Sequence, residues 1–135
     1  MAFATIDTRP TVLGLALVEA AFEGNREAVK KLLREKTPAD SKDWNGSTPL
    51  MMASAAGHLG IVGMLVDSGA NVNARGDWGV TPFDRATAYG HRNIMKFLYE
   101  NGARKNAKGQ FGRTAMEWTA AFRPEDARFI RNLRK

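Results

Sequence analysis

The two histidines are the side chains of this 135-residue sequence best suited to acid–base catalysis or metal binding near neutral pH. His58 and His91 lie 33 residues apart, and each follows a glycine. A zinc site needs several His, Cys or carboxylate ligands at short spacings, and the sequence has no cysteine. Recurrence in the same local context indicates instead a structural hydrogen bond repeated between units. We therefore predict no metal site, no cofactor and no catalytic histidine.

Three aspartates also lie in positions that indicate a structural role and not catalysis. Asp43, Asp77 and Asp84 lie beside Gly, Thr and Pro residues that are typical of turns and helix starts. The sequence contains no phosphate-binding glycine loop, no Gly-x-Ser-x-Gly nucleophile motif and no His-Glu-x-x-His metal motif. We therefore predict that the protein is not an enzyme, with no catalytic residues.

The formal charge of +6 is concentrated at one end of the chain. Residues 1–103 carry 11 basic and 11 acidic side chains, so the whole excess follows residue 103. The basic residues of that end are Arg104, Lys105, Lys108, Arg113, Arg123, Arg128, Arg131, Arg134 and Lys135. Such an end favours contact with an acidic protein surface, with nucleic-acid phosphates or with anionic lipid. The structural alternative is a solvated, charged cap.

An internal repeat of 33 residues organises the chain. Thr48-Pro49-Leu50 aligns with Thr81-Pro82-Phe83 and, more weakly, with Thr114-Ala115-Met116. Further aligned pairs are Gly57-His58 with Gly90-His91 and Gly69-Ala70 with Gly102-Ala103. Towards the amino terminus, Ala53 aligns with Ala20 and Leu65 with Leu32, so four units are visible.

Each unit has the pattern of two short amphipathic helices. Thr48 precedes Pro49, a pair suited to the cap and first position of a helix. Gly57 and Gly69 follow helical stretches and suit left-handed helix ends. Helices of two or three turns do not persist alone, so packing against neighbouring units must stabilise them.

These motifs resemble the ankyrin repeat, with a G-x-T-P-L turn, a G-H helix end, an I-V-x-x-L-L second helix and a G-A-x-V-N exit. The resemblance implies an all-α solenoid of about four helix–turn–helix units joined by hairpin-like loops. We predict units at about 11–42, 43–75, 76–108 and 109–135 in one domain, after an extension of residues 1–10. The last unit has Arg123-Pro124 in place of Gly-His and is predicted to be a degenerate cap. This layout is similar to that of small, myotrophin-type ankyrin proteins.

In the ankyrin family, partners contact the hairpin tips and the concave surface of the first helices. Applied to this sequence, the resemblance predicts partner-binding residues at Phe22, Trp44, Asn45, Ser47, Asp77, Trp78, Tyr89, Phe111, Arg113 and Phe122. Six of the 12 aromatic residues of the chain are in this set. Tryptophan and tyrosine are enriched among interface hot spots, which supports a contact role. The structural alternative is that these rings pack against neighbouring hairpins and cover the last unit.

We therefore expect a non-catalytic protein–protein interaction module that acts as an adaptor, scaffold or assembly subunit through an aromatic-rich concave face. The alternative is a subunit of a ribonucleoprotein or another large complex, which contacts nucleic acid or an acidic surface through its basic carboxyl-terminal end. No apolar run reaches the about 20 residues of a membrane-spanning helix. We expect a cytoplasmic protein, and nothing in the sequence indicates a homo-oligomer.

Overall fold

The computed structural model describes residues 9–108 and 114–133. Within these ranges the backbone forms eight α-helices and one isolated antiparallel bridge, between Lys108 and Thr114. The helices are α1 Val12–Glu23, α2 Arg26–Arg34, α3 Pro49–Ala56, α4 Leu59–Asp67, α5 Pro82–Ala88, α6 Arg92–Glu100, α7 Ala115–Phe122 and α8 Pro124–Arg131. Each predicted unit contains one consecutive pair of helices. The predicted all-α class is confirmed.

Threonine caps set the start of the first helix in the last three units. The Thr48 hydroxyl accepts a hydrogen bond from the Met51 amide at 3.3 Å. Thr81 and Thr114 accept equivalent bonds, each at 3.2 Å, from the amides three residues later. Proline occupies the first turn of α3 and α5, where an amide hydrogen has no intrahelical partner. The repeated Thr-Pro pair therefore determines where these helices begin.

Glycine ends the first helix of a unit where the backbone must turn left-handed. Gly57 follows α3 with a φ of 87°. A Cβ atom at this position would lie 2.8 Å from Cε1 of His91 in the next unit. Both the backbone angle and the lack of space therefore require glycine at this helix end.

The helices stack in two layers. The first helices of the units, α1, α3, α5 and α7, pack side by side, and the second helices α2, α4, α6 and α8 form the other layer. The core lies between the layers, and its fully buried side chains include Leu17, Val29, Leu50, Ile61, Leu65, Phe83, Ile94, Leu98 and Ile130. Each such side chain contributes about 1.5–3 kcal/mol through burial, which stabilises helices too short to stand alone. No helix of the described residues has the length and apolar character to cross a membrane.

The two histidines connect consecutive units. The ring nitrogen Nε2 of His58 lies 3.0 Å from the carbonyl oxygen of Phe22, near the end of α1. In the next unit, Nε2 of His91 lies 3.0 Å from the carbonyl oxygen of Ala55, near the end of α3. Each ring satisfies a carbonyl that a helix end leaves without an intrahelical partner. The predicted structural role of the histidines is confirmed.

In the last unit an arginine takes over this role. The Arg123 guanidinium donates to the carbonyl oxygens of Thr87 and, at 2.8 Å, of Ala88. Its Nε also lies 3.5 Å from the carboxylate of the buried Asp126. Asp126 forms a second ion pair with Arg92, whose Nε lies 2.6 Å from the carboxylate. The role of Arg123 in a partner-binding basic end stays a prediction; its guanidinium also holds the last unit on the one before.

Candidate binding surface

Five aromatic side chains of the predicted partner-binding set are exposed to solvent. They are Phe22, Trp44, Trp78, Tyr89 and Phe122, and their exposed fractions range from 50% for Phe22 to 77% for Phe122. Burial of an aromatic ring is strongly favourable, so five open rings on a small domain are an unusual feature. We call this set the aromatic surface.

All five rings lie on the first-helix layer or on the hairpins that lead into it. Trp44 and Trp78 lie in the hairpins that precede α3 and α5, whereas the other three lie at the carboxyl-terminal ends of α1, α5 and α7. The helices α3, α5 and α7 have 7 or 8 residues and are about 10–12 Å long, whereas α1 has 12 residues and is about 18 Å long, from the rise per residue. The aromatic surface thus has two rows, one at each end of the layer, about one short helix apart.

Alanines lie beside the row of rings at the carboxyl-terminal ends of the first helices. Ala55 and Ala56 are half-buried near the end of α3, and Ala88, Ala120 and Ala121 are exposed near the ends of α5 and α7. Because an alanine side chain is a single methyl group, a partner can approach the helix backbone closely here. The carboxyl-terminal ends of α3, α5 and α7 therefore present small apolar side chains beside the exposed rings.

The first hairpin is built around Asp43. Its carboxylate oxygen Oδ1 accepts hydrogen bonds from the amides of Asn45 and Ser47, both at 2.9 Å. The Asp43 amide donates to the Ser47 carbonyl at 3.0 Å, which closes the loop. This network leaves Trp44 and Asn45 exposed at the tip.

Ser47 does not belong to the exposed tip. It is 3% exposed, because the closing bonds to Asp43 place it beneath the hairpin and next to the cap residue Thr48. The prediction of Ser47 as a partner-binding residue is therefore wrong.

The second hairpin holds Trp78 in a strained conformation. Its φ is 68°, in the left-handed region that bulky side chains rarely adopt. The amide of Gly76 donates to the Val80 carbonyl at 2.9 Å, and Gly79 donates to Gly76 at 3.0 Å, which fixes the tip. Strain of this kind persists only where the surrounding structure imposes it, and it is common at functional sites. Asp77 is exposed beside Trp78.

The basic end divides into exposed and engaged cations. Arg104, Lys108, Arg128 and Arg131 are exposed. Lys105 is half-buried, and its ammonium donates to the carbonyl oxygens of Ile130, Arg131 and Leu133 at 3.1–3.5 Å, at the end of α8. A partner contact of Lys105 stays a prediction; its charge also caps the carbonyl end of α8. The predicted residues Phe111, Arg113, Arg134 and Lys135 lie outside the described residues.

The described carboxylates indicate a structural role, for which Asp84 is the example. No group of three or more His, Asp or Glu side chains in the described ranges could hold a metal ion. Burial raises the pKa of the Asp84 carboxyl, while hydrogen bonds from Thr81 and the charges of Arg75 and Arg85 oppose that rise. Asp84 accepts from the Thr81 amide at 3.0 Å, so it completes the cap of α5.

Comparison with known proteins agrees with this architecture. A family model described as ankyrin repeats, in three copies, matches residues 17–109. The human protein "Ankyrin repeat and KH domain-containing protein 1" is 41% identical over 59 residues, which are 44% of this chain and 2% of that protein. Its Drosophila melanogaster counterpart, mask, is 39% identical over 59 residues, with the same coverage. The potassium channel AKT2/3 of Arabidopsis thaliana is 37% identical over 63 residues, 47% of this chain and 8% of the channel.

The chain spans only a small part of the length of these relatives. The family match covers well over half of the chain and includes the first three helix pairs from Leu17 onward. Repeats of this kind are generally non-enzymatic modules for protein–protein interaction. The protein therefore belongs to the ankyrin-repeat family.

Proposed function

We propose that this protein is an adaptor, scaffold or assembly subunit that holds a protein partner on its aromatic surface. The observation that supports this proposal is the exposure of Phe22, Trp44, Trp78, Tyr89 and Phe122 along one layer of the solenoid. Aromatic side chains that become buried on binding supply much of the energy of an interface.

The surface is rigid before a partner arrives, which favours binding. His58, His91 and Arg123 each tie the end of one first helix to the next unit. The hairpins carry their own closing hydrogen bonds. A preorganised surface loses little conformational entropy on association, so more of the contact energy appears as affinity.

The shape of the surface fits a partner segment with apolar side chains. The alanines admit a helical or extended partner segment close to the backbone at the ends of α3, α5 and α7, beside the rings of Tyr89 and Phe122. Truncation of one hot-spot ring costs about 2 kcal/mol or more of binding, so a pair of such truncations weakens a micromolar interaction about a thousandfold.

The test compares three forms of the protein in a pull-down from the native source, followed by mass spectrometry. They are the wild type, Trp44→Ala/Trp78→Ala, and a control, Lys30→Ala/Lys31→Ala, which changes two exposed residues of α2 in the other layer. We expect a protein captured by the wild type and the control and lost from the tryptophan variant. A nuclease-treated sample should give the same result.

Equal capture by the folded tryptophan variant would contradict the proposed surface. Loss of capture only after nuclease treatment would move the function to the basic end of the chain. Circular dichroism of each variant shows whether the fold is intact.

A further inference from the structure

A basic groove lies beside the aromatic surface, at the loop that follows α6. It has a volume of about 550 Å³ and is lined by Arg75, Arg104, Lys105, Lys108, the Tyr99 ring and small polar or apolar residues. None of the eight described residues that line it is acidic. The groove therefore combines a concave shape with an excess of positive charge.

Only some of these charges are engaged by the fold. Lys105 neutralises the carbonyl end of α8, and its ammonium also lies 5.2 Å above the centre of the Tyr99 ring. Arg75 donates to the carbonyl oxygens of Gly79 and Lys108 at 3.3 and 2.8 Å, but both bonds use the same nitrogen, Nη1. A guanidinium has five donor hydrogens on three nitrogens, so Arg75 keeps donors for a ligand, although its charge also acts on the Asp84 carboxylate.

Arg75 also belongs to a series of basic residues spaced 33 residues apart, in which one side chain donates to the backbone carbonyl of the next residue in the series. The Lys42 ammonium donates to the carbonyl of Arg75 at 3.4 Å, and Arg75 in turn donates to the carbonyl of Lys108. Asp40 and Asp43, which lie near Lys42 in the sequence, offset the positive charge of Lys42. Beside Lys108 the neighbouring cations are Arg104 and Lys105, so positive charge accumulates towards the groove.

We infer that this groove binds an acidic peptide segment of a partner protein, as a contact separate from the aromatic surface. Arginine matches carboxylates through paired hydrogen bonds, and Arg75 is fixed in position by its backbone contacts. The half-buried Ala107 gives the groove a small apolar surface for the stem of a glutamate side chain. Arg75 contacts Gly79, the residue after Trp78, so the two contacts adjoin.

Nucleic acid fits the groove less well. Binding of single strands relies on aromatic faces that are open to stacking bases. The Tyr99 ring lies under the Lys105 ammonium, and the exposed aromatic residues of the described chain lie on the other surface. The available cations of the groove are Arg75, Arg104 and Lys108, which makes a short footprint for a phosphate backbone.

The test measures binding of a fluorescein-labelled oligoglutamate peptide by fluorescence anisotropy at low salt. The groove variant is Arg104→Gln/Lys108→Gln, and the charge-matched control is Lys30→Gln/Lys31→Gln on α2. We expect the groove variant to bind about fivefold more weakly than the wild type and the control to bind as the wild type does. A third variant, Arg104→Lys/Lys108→Arg, keeps the charges and should bind like the wild type.

Equal weakening by the groove and control variants would overturn the inference, because binding would then follow net charge alone. A single-stranded oligonucleotide of the same charge serves as the second probe. If it bound more tightly than the peptide and lost that binding in the groove variant, the groove would be a nucleic-acid site and the inference would also be wrong. None of these results depends on Trp44 or Trp78, so the aromatic surface is tested independently.

Discussion

Because the backbone of Trp78 is left-handed, the difference in stability between an Ala and a Gly variant should have opposite signs in the two hairpins. Trp78 has a φ of 68°, whereas Trp44 is not among the residues with positive φ. Replacing either ring by Ala or by Gly removes the same aromatic contacts. The two replacements differ only in backbone freedom, so the comparison of Ala with Gly at each site isolates the strain.

The size of the effect follows from two opposing terms. A side chain with a Cβ atom costs about 1–2 kcal/mol in the left-handed region, and glycine avoids that cost. Glycine also loses more backbone entropy on folding than alanine does, by about 0.5–1 kcal/mol. At position 78 the first term is larger, so Trp78→Gly should be more stable than Trp78→Ala by about 1 kcal/mol. At position 44 only the entropy term acts, so Trp44→Ala should be more stable than Trp44→Gly by about 0.5–1 kcal/mol.

Urea unfolding followed by far-ultraviolet circular dichroism measures the free energy of unfolding of the four variants. The same order of alanine and glycine at both positions would refute the reasoning, because it would show that the second tip is not held left-handed. The wild type should bind its partner better than Trp78→Gly even where the variant is as stable, since the ring and not the backbone makes the contact.

Three further predictions concern stability. Asp84→Asn keeps an acceptor for the Thr81 amide without a buried charge. Because burial raises the pKa of Asp84, the wild type should lose stability relative to this variant as the pH rises from the usual carboxyl range through the raised pKa. A pH series of urea unfolding curves measures this difference. A pH-independent difference would contradict this. Arg123→Gln should lower the free energy of unfolding by about 2 kcal/mol, and unchanged exchange protection of amides in α8 would contradict its role as a tie. Gly57→Ala should cost about 2 kcal/mol or more in thermal or urea unfolding, because it adds left-handed strain and a clash with His91; a neutral effect would show that the helix end can rearrange.

Most of the fold was predictable from local patterns that recur with the repeat. Thr48 with Pro49 and Thr81 with Pro82 marked the helix starts, because a cap and a proline act within one turn. The Gly-His pairs predicted the contacts between units, because the histidines recur in the same context. The exposure of Trp44 and Trp78 also followed from their position on hairpin tips.

The contacts that the sequence does not reveal depend on residues distant in the chain or on turn geometry. Arg123 lies one residue before the position that the 33-residue period assigns to a histidine, and only its long side chain brings it to Ala88. The sequence does not reveal the hydrogen bonds of the Lys105 ammonium, because its partners at the end of α8 lie 25 to 28 residues later. Ser47 lies two residues from the exposed Asn45, but the turn around Asp43 buries it.

The basic groove was missed for a similar reason. Arg75 lies in the electrically neutral part of the sequence and was grouped with no other cation. The stacking of units brings it to Lys108, 33 residues later, at 2.8 Å from the carbonyl of that residue. Comparing residues at the repeat period would have found Lys42, Arg75 and Lys108 as a basic series.

The most direct test of the central claim is photocrosslinking from the aromatic surface in the native source. Benzoylphenylalanine replaces Trp44, Tyr89 or, as a control in the other layer, Lys31. The proposed function predicts crosslinks to the same protein from positions 44 and 89 and none to it from position 31. Crosslinks to that protein from position 31 alone, or crosslinks from positions 44 and 89 only to nucleic acid, would contradict it.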